Sequence, residues 1–159
     1  MRKSLTLLAS LFLILSLNSC SERFKPVSKE EVNSIIEKVN SSKIILLDIY
    51  HDQCGTCKLI EPTFERLKSD YSQNPDLVFL KYDLSNPFTL NNSRKISKAV
   101  DLEDIYKAQK YSGIVLFIDS KTKKVIQSLI GESNIEPYKK IIEATLNEKA
   151  TTTNAQPTI

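Results

Sequence analysis

Apolar residues follow two rhythms along this chain. Over Lys43 to Tyr50 they are nearly continuous (Ile44-Ile45-Leu46-Leu47-Asp48-Ile49), the pattern of a central strand covered on both faces. Before it, Val32, Ile35, Ile36 and Val39 recur at helical spacing. Ser28-Lys29-Glu30-Glu31 opens that helix as a capping box, with Ser28 as N-cap, and the helix runs to about Asn40. After the strand, Cys54 to about Ser72 reads as a second helix, with Leu59, Phe64, Leu67 and Tyr71 inward and Pro62 kinking it. Asp76 to Asp83 is the next strand. Between Ser85 and Lys110, Ile96, Ala99, Val100, Leu102, Ile105 and Tyr106 predict one or two further helices.

Gly113 to Asp119 is another apolar strand. Ser120 to Lys123 forms a turn, with Lys121, Lys123 and Lys124 expected in solvent, Lys124 to Ile130 returns as a hairpin strand, and Gly131 ends it. A last helix, capped by Ser133 or Asn134, carries Ile135, Tyr138, Ile141, Ile142 and Leu146. The order α-β-α-β-α-β-β-α predicts an α/β domain: a mixed four-stranded sheet with helices on both faces. Tyr50, Tyr82 and Phe117 are expected in its core. The organisation expected is a segment 1–19, a polar tether 20–27, one domain over 28–149, and a disordered polar tail 150–159.

The N-terminus changes the setting. Arg2 and Lys3 precede an apolar run from Leu5 to Leu17, too short for a typical membrane span and flanked like an export signal. Its end, Leu17-Asn18-Ser19-Cys20, resembles a bacterial lipobox, although Asn18 is larger and more polar than the usual occupant. That resemblance implies cleavage before Cys20 and lipidation of Cys20, hence attachment to a bilayer on the extracytoplasmic (periplasmic) side of a bacterial envelope. Disulfides persist in such a compartment. The chain has 22 basic and 19 acidic residues. Losing Arg2 and Lys3 lowers the formal charge from +3 to about +1. With lysines interspersed among acids, nothing points to a nucleic-acid partner.

The remaining cysteines carry the chemistry. Cys54-Gly55-Thr56-Cys57 sits where the central strand gives way to a helix. A thiol there faces unpaired backbone N–H groups and the positive end of the helix dipole, and both favour thiolate. This assigns Cys54 as nucleophile and Cys57, one turn further in, as the resolving thiol. Asp48 lies within an apolar run, where an isolated acid is costly. A buried carboxylate beside the pair would shuttle a proton to or from Cys57. The bland reading has Asp48 capping a turn at the strand end.

From Asp48 to Pro62 the chain resembles the active-site region of thioredoxin, with Asp48, Cys54, Gly55, Cys57, Lys58 and Pro62 in register. Leu77 to Asp83 resembles the following strand, where Lys81 matches a lysine that neighbours and tunes the buried acid. Ile114 to Phe117, the hairpin and Gly131 resemble the closing hairpin. The resemblance covers about residues 28–148. It implies a thioredoxin-like fold and a thiol–disulfide oxidoreductase that needs no organic cofactor. Its substrate groove would be formed by Gln53, Gly55, Thr56, Ser112, Gly113 and Gly131. Three positions depart from the family pattern: Gln53 replaces a tryptophan, Thr56 replaces a proline, and Ser112 stands where a cis-proline is expected. A cis bond before a non-proline costs about 2.5–4 kcal/mol, so the Tyr111–Ser112 bond is expected to be trans. The stretch from Ser85 to Tyr111 is longer than its family counterpart and is expected either to cover the site, to meet a partner, or to elaborate the surface.

The resemblance implies as partners exported thiol or disulfide proteins and, for a reductase, a membrane thiol electron donor. Two other readings stand beside it. His51, Cys54 and Cys57 form an H-x-x-C-x-x-C array able to hold Cu(I) or Zn(II) if further ligands complete it. A redox-inactive binding domain that kept a structural disulfide is the other.

Overall fold

The computed structural model of the protein describes residues 25–154. Cys20, the segment 1–19 and most of the tether lie outside the described residues. The order is α1 (Lys29–Ser41), β1 (Ile44–Tyr50), α2 (Gly55–Asp70), β2 (Leu77–Asp83), α3 (Pro87–Ala99), α4 (Glu103–Ala108), β3 (Ile114–Asp119), β4 (Val125–Ile130) and α5 (Ile135–Asn154). The four strands form one sheet in the order β2-β1-β3-β4. β1 pairs in parallel with β2 and antiparallel with β3, and β3 turns back antiparallel onto β4. The expected mixed sheet with helices on both faces is therefore what forms.

The two-residue period of β1 divides the core. Ile45, Leu47 and Ile49 face Val39 of α1 and Val100 and Leu102 of the α3–α4 region. Ile44 and Leu46 face Ile60, Phe64 and Leu67 of α2 and Tyr138 and Ile142 of α5. The same alternation puts Asp48 on the α2 side of the sheet, the side that carries the cysteines.

Helix starts follow their sequence signals. Ser28 Oγ accepts the Glu31 N–H at 3.1 Å, and Asn134, not Ser133, supplies the side-chain acceptor at the start of α5, 3.1 Å from Glu136 N. α5 continues to Asn154, five residues past the expected domain boundary at 149, so residues 150–154 are helical. Residues 155–159 of the expected tail lie outside the described residues.

Two side chains are placed differently from expectation. Leu59 is 64% exposed, and Ile60 takes the inner position. Residues 60, 64, 67 and 71 keep helical phase, whereas 59 to 64 is a step of five. Tyr82 and Phe117 are fully buried, but Tyr50 is only half-buried and lies under the Lys81 ammonium, 4.0 Å from its ring centroid.

The long 85–111 segment is built into the sheet's other face. It folds as two helices, and Val100 and Leu102 are buried in the α1-side core. Its N-terminal end does approach the cysteine end of the sheet: Ser85 Oγ accepts the Asp52 N–H at 2.9 Å, tying the loop after β2 to the loop after β1. Among the described residues no helix is long and apolar enough to cross a membrane.

Candidate active site

The site starts at the C-terminal end of β1. His51, Asp52 and Gln53 turn the chain, with Cys54 N–H donating to His51 O at 3.1 Å, and α2 begins at Gly55. Cys54 is the N-cap of α2. Its Sγ accepts the Cys57 backbone N–H at 3.0 Å, so the sulfur takes the place of a capping oxygen. A negative sulfur here faces an N–H donor and the positive helix end together.

Cys54 and Cys57 are joined by a disulfide with Cα atoms 5.2 Å apart. They differ in access: Cys57 is 1% exposed, with its Sγ 3.9 Å from Ile49 O, while Cys54 is half-buried at the surface. Gly55 and Thr56 between them are exposed.

Asp48 is 2% exposed and ends no strand; it pairs in mid-ladder with Lys81 of β2 and Val115 of β3. The reading of Asp48 as a turn cap at the strand end is therefore excluded. Its Oδ1 has no hydrogen-bond partner among the described residues, and its Oδ2 lies 4.0 Å from Lys81 Nζ. Burial raises its pKa from 3.8 to about 6, with Lys81 working in the opposite direction and Glu61 adding to the rise. A carboxyl of this kind exchanges its proton near neutral pH.

Lys81 divides its charge. Its Nζ donates to Glu61 Oε1 at 3.0 Å, closer than to Asp48. Glu61 did not stand out in the sequence; the signal available was an acid one residue before Pro62, on the same helix as the cysteines. Beside this pair is a polar cavity of about 220 Å³, lined by Tyr50, Asp52, Asp83 and Asn86 as well as Glu61 and Lys81.

Of the residues expected to form a groove, Gly113 and Gly131 approach Thr56. Gly113, with φ +81°, donates its N–H to Ile49 O at 2.8 Å, and Gly131, with φ +64°, donates to Gly113 O at 3.0 Å. A side-chain carbon placed on Gly113 would come 2.9 Å from Thr56 Cγ2 and 3.5 Å from Cys54 Sγ. One on Gly131 would come 3.3 Å from Thr56 Cγ2. Ser112 precedes Gly113, and the described residues contain no cis peptide bond, so Tyr111–Ser112 is trans. Gln53 is exposed beside Cys54. Tyr111 and Ile130, next to these positions in sequence, are 75% and 73% exposed.

His51 is not assembled with the cysteines into a metal centre. Its Nδ1 accepts the Gln53 N–H at 3.1 Å and lies 3.2 Å from Asp52 Oδ1, and both sulfurs are engaged with each other. Among the described residues, no group of three or more His, Cys, Asp or Glu side chains is arranged to hold a metal ion.

Parts of the chain are similar to known proteins. The chain is 35% identical over 68 residues to a thioredoxin of Coprinus comatus, covering 43% of this chain and 62% of that protein. It is 33% identical over 63 residues to a peptide-N(4)-(N-acetyl-beta-glucosaminyl)asparagine amidase of Caenorhabditis briggsae, covering 40% of this chain and 10% of that protein. The chain thus spans under two thirds of the length of these curated relatives. Among solved structures, Trxlp from Edwardsiella tarda EIB202 superposes with a TM-score of 0.47 at 19% identity, covering 73% of this chain and 94% of that one. The thioredoxin family profile matches residues 23–132, more than half of the sequence. With its Cys54–Cys57 disulfide at the head of α2 and Asp48 buried in β1, the chain belongs to the thioredoxin family.

Proposed function

We propose that this chain is an exported, membrane-anchored thiol–disulfide oxidoreductase that reduces disulfides of exported proteins or relays electrons to another thiol protein. The observation that carries the reaction is the asymmetry of the pair. Cys54 is reachable and capped by a backbone N–H, while Cys57 is buried on the Asp48 side of the sheet.

With the pair reduced, the Cys54 thiolate attacks one sulfur of a substrate disulfide. The S–S bond breaks, the other substrate sulfur leaves as thiolate, and a mixed disulfide to Cys54 forms. Asp48 as carboxylate takes the proton of the Cys57 thiol. The Cys57 thiolate then attacks Cys54 Sγ, expelling the second substrate thiolate and closing the Cys54–Cys57 disulfide seen here. Two electrons pass from the pair to the substrate, which leaves as a dithiol after protonation. Lys81 tunes the charge on Asp48. Gln53, Gly55, Thr56, Ser112, Gly113 and Gly131 form the groove against which the substrate chain lies. A membrane thiol protein returns the two electrons.

Export and anchoring rest on the sequence: the basic start at Arg2 and Lys3, the apolar run to Leu17, and the lipobox-like Leu17-Asn18-Ser19-Cys20. Lipidated Cys20 would hold the domain on the extracytoplasmic face of a bacterial membrane. The preference for reduction rests on the likeness of the Cys54–Lys58 segment to the reductive thioredoxin pattern.

The test is an insulin-reduction assay on the soluble domain, with and without Cys54→Ser, together with equilibration of the pair in glutathione or dithiothreitol buffers. Activity that depends on Cys54 and a disulfide that opens within the buffered range are expected. A disulfide that never opens, or activity that survives the substitution, sinks the enzyme; the first outcome leaves the redox-inactive binding domain. Incorporation of labelled palmitate, lost in Cys20→Ala, tests the anchor.

A further inference from the structure

One cation serves two carboxylates at this site, and it is hydrogen-bonded to the wrong one for neutralising the core. Lys81 Nζ is 3.0 Å from Glu61 Oε1 but 4.0 Å from Asp48 Oδ2, beyond hydrogen-bond reach. Asp48 is 2% exposed and has an unpartnered Oδ1, whereas the Glu61 side chain is 42% exposed and has solvent available. The buried carboxylate therefore receives the ammonium only at a distance, while the exposed one holds it. The Tyr50 ring, 4.0 Å from the same nitrogen, supports that placement from a third side.

We propose that Glu61 is a positioning residue of the thiol–disulfide reaction: by drawing Lys81 Nζ to the wall of the polar cavity, it keeps the ammonium from closing onto Asp48 and leaves that carboxyl free to exchange a proton with Cys57. This rests on the reaction described above. Asp48 is faced by Lys81 and Asp83 from β2, by Glu61 and Glu65 from α2, and by Tyr138 from α5; β3 presents Val115. Of these, Lys81 is the only cation. Its position decides whether the buried acid is neutralised or held protonated into the neutral range. The raised affinity of Asp48 for its proton, to which Glu61 contributes, agrees with this geometry.

The experiment is a pH titration of the Asp48 carboxyl carbon by NMR in the oxidised domain, for the wild type, Glu61→Gln, Glu61→Ala, Lys81→Met and the Glu61→Gln/Lys81→Met double variant. Insulin reduction is followed across pH in parallel. With Glu61 removed, Lys81 is free to approach Asp48, and the midpoint falls by roughly half a pH unit or more. On the Lys81→Met background the same Glu61 substitution moves it much less, because no ammonium is left to release. The pH profile of insulin reduction shifts in the same direction as the carboxyl. An unchanged midpoint in both Glu61 variants, or an equal fall with and without Lys81, overturns the proposal. A wild-type domain that leaves insulin intact removes the reaction itself. That failure is told apart because the titration reads Asp48 without any substrate.

Discussion

Thr56 rests on Gly113: a side-chain carbon built on that glycine would lie 2.9 Å from Thr56 Cγ2 and 3.0 Å from Thr56 Cβ. Gly113 also has φ +81° and donates its N–H to Ile49 O, so the backbone that faces the cysteines is fixed at the end of β1. Gly113→Ala meets two separate obstacles, a left-handed backbone and a neighbour anchored in the first turn of α2. It is expected to destabilise the domain by roughly 1–3 kcal/mol, read as a lower urea midpoint at unchanged slope. Adding Thr56→Ser, which deletes Cγ2, restores part of the loss and leaves the backbone part. Equal stability of Gly113→Ala and wild type contradicts the close approach.

Asp48 sets a pH dependence with a defined sign. Its pKa in the folded protein, about 6, lies above the ordinary 3.8, so the folded state binds more protons than the unfolded chain between those values. Stability from this group is complete below pH 3.8 and is lost as pH rises through 6. The rise corresponds to about 3 kcal/mol. Asp48→Asn removes this dependence, and the variant gains on the wild type by up to that amount between pH 4 and pH 8 in paired denaturation curves. Insulin reduction by the same variant falls by about 10²-fold, the usual contribution of a positioned proton acceptor. A stability difference that stays constant with pH argues against a buried, titrating Asp48.

The strand rhythm made the sheet legible, because Ile44 to Ile49 permits no solvated face, and the Cys-x-x-Cys at its end marked the site. Leu59 was harder, since an apolar residue three positions before Pro62 fits an inner or an outer position equally by composition. Phase with Phe64 and Leu67 selects Ile60 instead. The Glu61–Lys81 contact depends on the parallel register that sets Asp48 opposite Lys81 and on the seating of α2 across both strands. Neither can be read from spacing along one segment. The 85–111 segment hid its role because polar residues do the joining there: Ser85, Asn92 and Ser93 bond backbone groups distant in sequence.

Asn92 fastens the start of the described chain to α3. Its side-chain amide donates to Lys25 O at 2.9 Å and accepts the Val27 N–H at 3.0 Å, as a neighbouring strand would. Asn92→Ala releases both bonds. Hydrogen exchange at the Val27 amide is expected to quicken by roughly fivefold or more, with the α1 interior unchanged. Unaltered protection at Val27 would show that the amide does not hold this segment.

Ser93 does for β2 what a further strand would do. β2 is an edge strand, and the Ser93 hydroxyl accepts the Asp83 N–H at 2.9 Å and donates to Asp83 O at 3.2 Å, at a position only 3% exposed. Ser93→Ala leaves both backbone groups without that partner in a place water does not easily reach. The expected loss is about 1–3 kcal/mol in a denaturation midpoint. The effect should not stop at stability. Asp83 lines the cavity shared by Glu61 and Lys81, and Ser85, two residues on, holds the Asp52 N–H beside the cysteines. Freeing the end of β2 is therefore expected to loosen the Lys81 side of the site, seen as amide shift changes at Lys81 and Asp52 in the NMR spectrum of Ser93→Ala. Changes confined to α3 would show instead that the segment only covers the sheet and does not brace the site.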